Sequence, residues 1–493
     1  MAEPAPTSPL GPWAAGALVF GSSGAVLVVE LASLRLLAPY LGLTLETSTL
    51  VIGLALAAIA TGAWLGGQAA DTRPPRRLLG PALGVAGAAV ALMPAAVRWA
   101  AEAGDGTLLL TVATLAIVVP AALLSAVTPM VVKLRLTDLH ETGSVVGRLS
   151  GIGTVGAIAG TVVTGFVLVS LLPVSTILVG LGVLLVAGAA VVDLAVRGWR
   201  SLGGAAAVVV VGALAVGVAP GGCDVETTYH CVVVEADPVR PDGRVLVMDG
   251  VRHSYVDLHD PTHLEFRYIR AMAAAVDASY AAGEPLRAHH LGGGGLTLPR
   301  WLAEARPGTR STVSEIDPGV VAVDVERLGL RTGDDLVVRV EDGRTGLRRL
   351  PDDGRDLVVG DAFGGVSIPF HLTTVEALDD VRRVLAPDGL YVANLIDHPP
   401  LAFARAEVAT LQTVFGNVAL AAYPDTLAGR EGGNLVVLAG DRALDPEAWQ
   451  EALDARETGW EVLAGARLDA WAEDAEVLTD DHAPVDQLLT PYE

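Results

Sequence analysis

Long apolar stretches with almost no charge follow one another through the first 220 residues of this 493-residue chain. Most of them approach the roughly 20 residues that a helix needs to cross the hydrocarbon core of a bilayer. Because buried helices of soluble proteins rarely run so far without a polar residue, we predict a bundle of about seven transmembrane helices over residues 1–220. The predicted helices cover 12–38, 46–70, 78–97, 107–132, 147–171, 174–195 and 203–219.

The charge of the chain is distributed very unevenly. Residues 1–219 contain ten Lys or Arg and nine Asp or Glu, whereas residues 220–493 contain the other 23 basic and 47 acidic residues. An acidic surface repels phosphates, so nucleic acid is excluded as a partner. The same surface is compatible with a cationic ligand or with the solvated surface of a salt-adapted protein.

The loops between the predicted helices predict an orientation in the membrane. By the positive-inside rule, the loops that are rich in Lys and Arg lie in the cytoplasm, and the N-terminus lies there with them. Seven helices would then place residues 221–493 outside the cytoplasm, whereas six would keep them inside. The opposite loops hold little beyond Arg35 and Arg98, while the basic loops contain Arg73, Arg76, Arg77, Lys133, Arg135, Arg148, Arg197 and Arg200.

The two cysteines of the chain bear on the same question. Cys223 and Cys231 follow the last predicted helix in the segment GGCDVETTYHC. An isolated pair this close could form a disulfide in an oxidising compartment, and the alternative is a pair of free thiols. A disulfide would agree with the loop charges. We therefore predict a multi-pass protein of the cell membrane, with the extracytoplasmic side favoured for the soluble part.

Two ionisable residues lie in or at the end of the first predicted helix, Glu30 and Arg35. Charged groups in a membrane are costly, and they usually face a partner or a cavity. One interpretation is a functional polar site. The other is that Arg35 extends to the interface while Glu30 caps a neighbouring helix.

The pattern changes from residue 232 onward. Within a β-rich segment at 221–262, VVVEADP and GRVLVMDG read as a hairpin-like pair of strands. Strands and helices then alternate over 263–493, with helices predicted near 263–280, 297–305, 318–328, 343–349 and 373–385. Such alternation predicts a mostly parallel sheet with helices on both faces, which is a Rossmann-like α/β domain. VALAAYP and NLVVLAG predict a closing antiparallel pair.

A glycine run and three carboxylates form the strongest functional signal. Gly292–Gly295 lies between a predicted strand and a predicted helix, where glycine permits a tight turn and close approach of a ligand. Glu315 ends the next strand, Asp342 the following one and Asp361 the one after that. Because the carboxyl ends of parallel strands meet at one edge, we expect these acids to enclose an adenosine-like molecule. The alternative for each acid is a helix N-cap.

Several segments carry a family resemblance. VLVMDGVRHSYVDL, LEFRY, GGGG, SEIDP, EDG, VVGDAF and VLTDDHAPVD together resemble the spermidine synthase (polyamine aminopropyltransferase) family, which has the adenosylmethionine-methyltransferase fold. With ELASLRLLAPYLG near the N-terminus, the whole chain is similar to the bacterial form that is fused to a transporter-like helical domain. The resemblance covers nearly the entire chain.

The resemblance implies a reaction and a set of site residues. Members of the family transfer an aminopropyl group from decarboxylated S-adenosylmethionine to a diamine, without a metal. We therefore expect this nucleoside, or S-adenosylmethionine itself, as the substrate that supplies the group. Glu315 corresponds to the acid that binds the ribose, Asp342 to the acid that contacts the adenine, and Asp361 to the catalytic base. The other implied positions are the nucleoside-binding glycines Gly292, Gly293, Gly294 and Gly343, and the acceptor-binding residues Tyr268 and His253.

The chain departs from the family at the positions that bind cationic groups. Gly295 replaces the aspartate that holds the aminopropyl ammonium, Gly364 replaces a diamine-binding aspartate, and Leu264 and His253 replace an aspartate and a glutamine. The first hypothesis is a spermidine-synthase-like transferase acting on a small amine, in contact with the bilayer; a homodimer is compatible with this reading. The alternative is a transport, sensing or scaffold protein of the membrane whose soluble domain is catalytically silent.

Overall fold

The chain folds into two compact units, Met1–Tyr229 and His230–Glu493. The predicted seventh helix at 203–219 lies outside the residues that the computed structural model describes. The described residues are 10–41, 45–136, 142–197, 223–365 and 367–489.

The described part of the first unit contains six spans that are long and apolar enough to cross a membrane. Their most apolar windows have mean hydropathies of 1.8 to 2.5, as the charge-free stretches of the sequence predict. The fourth span is divided after Ser125, and the fifth span ends in a π-helical turn at Thr164–Leu168. The helices are α1 (Pro12–Leu41), α2 (Leu45–Thr72), α3 (Leu79–Glu102), α4 (Gly106–Ser125), α5 (Val127–Arg135), α6 (Thr142–Val163) and α7 (Val174–Arg197).

Glycines on α6 let its backbone approach α1 very closely. A Cβ atom at Gly156 would lie 2.3 Å from the carbonyl oxygen of Phe20, and one at Gly160 would lie 2.5 Å from that of Gly24. Any larger residue at these positions would push the two helices apart. Small residues of the segment GIGTVGAIAGTVVTG, residues 151–165, therefore bring these two helices together.

Polar groups of the first unit interact near its C-terminal end. Arg35 donates a hydrogen bond to the carbonyl oxygen of Thr228 at 2.6 Å, and its guanidinium lies 4.7 Å from the ring centroid of Tyr229. Glu226 accepts a hydrogen bond from the hydroxyl of Ser175 at 2.5 Å. Arg35 thus binds the segment that follows the helices.

The second unit begins with an antiparallel arrangement of three strands, β1 (Cys231–Ala236), β2 (Gly243–Met248) and β3 (Val251–Asp257). The first two form the hairpin that the sequence predicts, and the third was not predicted. Cys223 and Cys231 are disulfide-bonded.

An eight-stranded mixed sheet forms the centre of the second unit, which confirms the predicted α/β fold class. Its order is β11-β9-β10-β8-β7-β4-β5-β6. Strands β4 to β8 pair in parallel, whereas β9, β10 and β11 are antiparallel to their neighbours. The predicted closing pair is β9 with β10. The strands are β4 (Arg287–Leu291), β5 (Arg310–Glu315), β6 (Leu336–Val340), β7 (Arg355–Gly360), β8 (Leu385–Asp397), β9 (Asn417–Ala422), β10 (Gly433–Gly440) and β11 (Glu461–Ala464).

Helices cover both faces of this sheet, as its buried parallel strands require. Successive residues of β7 point to opposite faces, so Leu357 and Val359 join one apolar cluster while Val358 joins another. All three side chains are at most 2 % exposed. The helices are α8 (Arg267–Ser279), α9 (Thr297–Ala305), α10 (Pro318–Arg327), α11 (Gly343–Arg348), α12 (Val375–Val384), α13 (Ala402–Val414), α14 (Pro424–Leu427), α15 (Pro446–Ala455), α16 (Ala466–Trp471) and α17 (Val485–Leu488).

Candidate active site

The glycine turn after β4 lies between the C-terminal ends of the two strands that pair with β4 in parallel, β5 and β7. The amide of Gly292 donates to the carbonyl oxygen of Ser314 at the end of β5, and the amide of Asp361 donates to that of Leu291 at the end of β4. Gly292 has φ +89°, and a Cβ there would lie 2.5 Å from the carbonyl oxygen of Asp361. Only glycine satisfies both the positive φ and this close approach.

Glu315 holds the glycine turn in place. Its Oε2 accepts hydrogen bonds from the amides of Gly293 at 2.8 Å and Gly294 at 3.3 Å, and its Oε1 accepts one from the amide of Asp317 at 2.8 Å. The side chain is buried, and these amide donors compensate for the loss of water around the carboxylate. The amides of Gly293 and Gly294 therefore bind Glu315 in this structure.

Asp342 is both a helix cap and a cavity residue. Its Oδ1 accepts the amide of Thr345 at 2.9 Å, which caps α11, and its Oδ2 lies 2.8 Å from Nε2 of His371. Burial acts to raise the pKa of Asp342, but the hydrogen bonds from Thr345 and His371 outweigh burial and lower the pKa below its ordinary value. The N-cap alternative is thus correct for Asp342, and the same side chain also lines a cavity together with Glu315 and Asp361.

Asp361 ends a chain of hydrogen-bonded side chains. Asn394 on β8 donates to Oδ1 of Asp361 at 2.9 Å, and Asn434 on β10 donates to the amide oxygen of Asn394 at 2.9 Å. Burial raises the pKa of the Asp361 carboxyl to about 6, although hydrogen bonds from Asn394 and Tyr268 favour its charged form. Asp361 is therefore ionised at pH 7 and still able to take up a proton in the physiological range.

Tyr268 and His253 line the same cavity as Asp361. The single proton of the Tyr268 hydroxyl is shared between Asp361 and the carbonyl oxygen of His253, which lies 3.3 Å from the hydroxyl oxygen. The Nε2 atom of His253 is buried and has no hydrogen-bond partner among the described residues. Burial and the neighbouring His230 lower the pKa of His253 to about 4, so its imidazole is neutral at pH 7. His230 in turn binds Asp249 through Nδ1 at 2.7 Å.

These side chains share one cavity of about 840 Å³. All nine predicted nucleoside-binding, acceptor-binding and catalytic residues line it. Within the described ranges, no group of three or more His, Cys, Asp or Glu side chains could hold a metal ion. The nine residues are His253, Tyr268, Gly292, Gly293, Gly294, Glu315, Asp342, Gly343 and Asp361.

Sequence reasoning missed three further residues of this site. Asn394 and Asn434 are polar residues in the otherwise apolar segments LYVANLI and NLVVLAG. A polar residue in such a segment is a signal from which both could have been predicted as site residues. A buried amide in such a run needs a partner, and here the partner is the catalytic candidate Asp361. Nothing in the local sequence marked His371, which reaches Asp342 from a short 3₁₀ helix, Phe370–Leu372.

The backbone at Gly295 leaves no room for a side chain. A Cβ there would lie 2.9 Å from Cβ of Ser254 and 3.0 Å from a methyl group of Val256. The amide of Gly295 also donates to the hydroxyl of Ser254 at 3.0 Å. In contrast, a Cβ at Gly364 would find its nearest neighbour, the carbonyl oxygen of Ser367, at 3.9 Å. Strand β3 therefore occupies the space that an acid at position 295 would need.

Comparison with known proteins gives clear relatives for the second unit. No family model matches the chain. A polyamine aminopropyltransferase of Vibrio vulnificus is 29% identical over 259 residues, which are 48% of this chain and 81% of that protein. One from Chromobacterium violaceum is 30% identical over 141 residues, which are 29% of this chain and 53% of that protein. The crystal structure of a probable spermidine synthase from Corynebacterium glutamicum is 31% identical, with a TM-score of 0.50, over 54% of this chain and 98% of that one.

The parallel strands, the glycine turn and the acids at one sheet edge define a Rossmann-like α/β domain with an acidic cleft. The relatives identify which kind it is. Through its second unit the chain belongs to the spermidine synthase (polyamine aminopropyltransferase) family, which places it among the spermidine-synthase-like transferases. The helical first unit is consistent with a fused helical region.

The space around positions 295 and 364 generates a prediction. Gly295→Asp should lower the free energy of unfolding of the purified chain by about 1–3 kcal/mol, because its Cβ collides with Ser254. The matched control Gly364→Asp should change it by less than about 0.5 kcal/mol, because its position is open. Thermal melting of both variants measures the difference. Equal melting temperatures would show that β3 gives way easily and that an acid at 295 is sterically allowed.

Proposed function

We propose that the second unit binds decarboxylated S-adenosylmethionine, or S-adenosylmethionine itself, and transfers a group from its sulfonium centre to a small amine. The observation that carries this proposal is that Glu315, Asp342 and Asp361 line one cavity beside the turn at Gly292. The cavity volume of about 840 Å³ is large enough for a nucleoside and a second small molecule.

Glu315 and Asp342 have the chemistry to hold the nucleoside. An ionised carboxylate has about four lone-pair sites, and the three amide donors at Glu315 leave one for a ribose hydroxyl. Asp342 accepts bonds from Thr345 and His371, and its remaining lone pairs could accept the amino group of adenine. Both side chains are fixed before the nucleoside binds, which reduces the entropy lost on binding.

Asp361 has the properties of a general base. The amine nitrogen of the acceptor attacks the carbon bound to the sulfonium sulfur, the carbon–sulfur bond breaks, and the neutral thioether nucleoside leaves. The new ammonium then gives one proton to the Asp361 carboxylate. Asn394 and Tyr268 hold this carboxylate in one orientation, and its pKa near 6 suits a base that works near neutral pH.

The replacement of the family's acids supports a narrower claim about the acceptor. Gly295, Gly364, Leu264 and His253 stand where the family has residues that bind cationic groups. Each lost charge-assisted contact is worth about 1.5–3 kcal/mol. We therefore propose that a simple diamine is a poor acceptor for this protein.

The role of Glu315 can be tested by nucleoside binding. Glu315→Gln should weaken binding of methylthioadenosine at least tenfold, because the neutral amide is a weaker acceptor for the ribose and for the glycine turn. The control Glu304→Gln alters an exposed residue of α9 and should leave binding unchanged. Calorimetric titration of the purified full chain provides the measurement. If methylthioadenosine, adenosylmethionine and its decarboxylated form all fail to bind the unmodified protein, the domain is silent and the transport or sensing alternative holds.

The role of Asp361 predicts a pH dependence. The transfer rate should fall as pH drops through about 6, because protonation removes the base. Asn394→Ala removes a hydrogen bond that favours the charged carboxylate, so the midpoint should move to higher pH. The pH profile of kcat/KM for both proteins measures this shift. An unchanged midpoint in the variant would argue against Asp361 as the titrating base.

The membrane position is also a proposal. The six apolar spans are compatible with a multi-pass membrane protein. Together with the predicted seventh helix at 203–219, the loop charges favour the extracytoplasmic side for the second unit, and the Cys223–Cys231 disulfide favours the same side. This side separates the cavity from the cytosol, where adenosylmethionine is made, so the donor would have to reach it across the membrane.

Side-specific labelling in intact cells tests this position. A membrane-impermeant maleimide should modify Cys223 and Cys231 only after treatment with a reductant. In the proposed orientation both residues lie outside the cell, and their sulfur atoms are bonded to each other until they are reduced. A Cys223→Ser/Cys231→Ser double variant serves as the background control. Labelling that requires permeabilised cells would place the second unit in the cytoplasm and overturn the proposed orientation.

A further inference from the structure

The order of the strands divides the cavity into two ends. Glu315 is the last residue of β5, whereas Asn394 and Asn434 lie on β8 and β10 on the other side of Asp361. If the nucleoside occupies the end near Glu315, as proposed above, the acceptor occupies the end near Asn434. We call this region the acceptor end; its other lining residues include Arg267, Arg270, Tyr423 and Trp460.

Two arginines from the first turn of α8 line the acceptor end. The Arg267 guanidinium lies 5.3 Å from the ring centroid of Tyr423, and Arg270 donates to the carbonyl oxygens of Glu265 at 3.0 Å and Arg456 at 3.4 Å. The Nε atom of Arg270 is buried, and no described residue forms a hydrogen bond with it. Within the described chain, neither guanidinium forms an ion pair with a carboxylate. Arg267 is exposed and Arg270 is half-buried, and no carboxylate of the described residues neutralises either charge.

Few acids balance these charges at this end. Of the described residues that line the cavity there, the acids are Asp361 and Glu265. Asp361 is held by Asn394 and faces the reacting amine in the proposed reaction, and Glu265 is exposed and pairs with His263 at 3.1 Å. A distant ammonium of a diamine would therefore meet two guanidiniums and one solvated carboxylate.

The beginning of α8 adds to the positive potential at the acceptor end. Its N-cap residue, Phe266, provides no side-chain cap, and its first turn contains no acidic residue. Arg267 and Arg270 lie at the positive end of the helix dipole, where cations are unfavourable. An anionic group bound there would be stabilised by both guanidiniums and by the amides of the first helical turn.

We infer that the acceptor is an amine whose far end carries an anionic group, a carboxylate in the simplest case. Its nitrogen loses a proton to Asp361, and its carboxylate binds Arg267 and Arg270. This inference rests on the proposed transfer reaction and specifies its substrate class. It also gives a reason for the missing acids, because a site for an anionic tail gains nothing from carboxylates that bind ammonium groups.

A pair of acceptors of matched length tests the inference. The purified full chain is given decarboxylated adenosylmethionine with either 4-aminobutyrate or 1,4-diaminobutane, and release of methylthioadenosine is measured. We expect kcat/KM to be at least tenfold higher for 4-aminobutyrate. Arg267→Glu should lower this ratio at least tenfold, because it places a negative charge where the carboxylate binds. The control Arg331→Glu makes the same change at an exposed residue and should leave the ratio unaltered.

The possible outcomes separate the two proposals. A preference for 1,4-diaminobutane with release of methylthioadenosine would overturn the anionic acceptor and leave the transferase proposal standing. If neither acceptor reacts but methylthioadenosine binds, calorimetric binding of each acceptor to that complex gives the same comparison, and equal or tighter binding of the diamine overturns the inference. If no nucleoside binds, the transferase proposal and this inference both fail.

Discussion

The parallel pairing of β4 with β5 on one side and β7 on the other is the constraint on which the cavity depends. It places the glycine turn between Glu315 and Asp361, and the backbone hydrogen bonds of Gly292 and Asp361 continue the sheet into the turn. Because β4 to β8 run parallel, their carboxyl ends meet at one edge, and acids that are 19 to 46 residues apart in sequence line one cavity. A one-residue change of register would turn these side chains away from the cavity.

Burial raises the pKa values of the carboxyl groups in the cavity, whereas hydrogen bonding lowers them. At Asp342 the hydrogen bonds from Thr345 and His371 prevail and lower the pKa, whereas at Asp361 burial prevails and raises it. The two carboxylates thus differ in their readiness to bind a proton, although both lie at strand ends. Such a difference suits one acid for binding a nucleoside and the other for accepting a proton.

The two units pack in different ways. In the helical unit, glycines such as Gly156 let the backbones of α1 and α6 approach closely, so dispersion contacts between the helices contribute to its packing. In the second unit, apolar side chains of strands such as β7 are buried against helices on both faces of the sheet. This contrast explains why the charge-free and the alternating parts of the sequence were separable by inspection.

The sequence alone determined the elements and their order, because hydrophobic periodicity and turn residues are local signals. It identified the helices of the first unit within the described residues, the alternating α/β pattern, and the acids at the strand ends. Only the tertiary structure decided what these acids contact: Glu315 binds the glycine turn, Asp342 caps a helix, and Asn394 and Asn434 orient Asp361. These contacts join residues that are 3 to 40 positions apart, and all but the helix cap depend on strand pairing that no local pattern encodes.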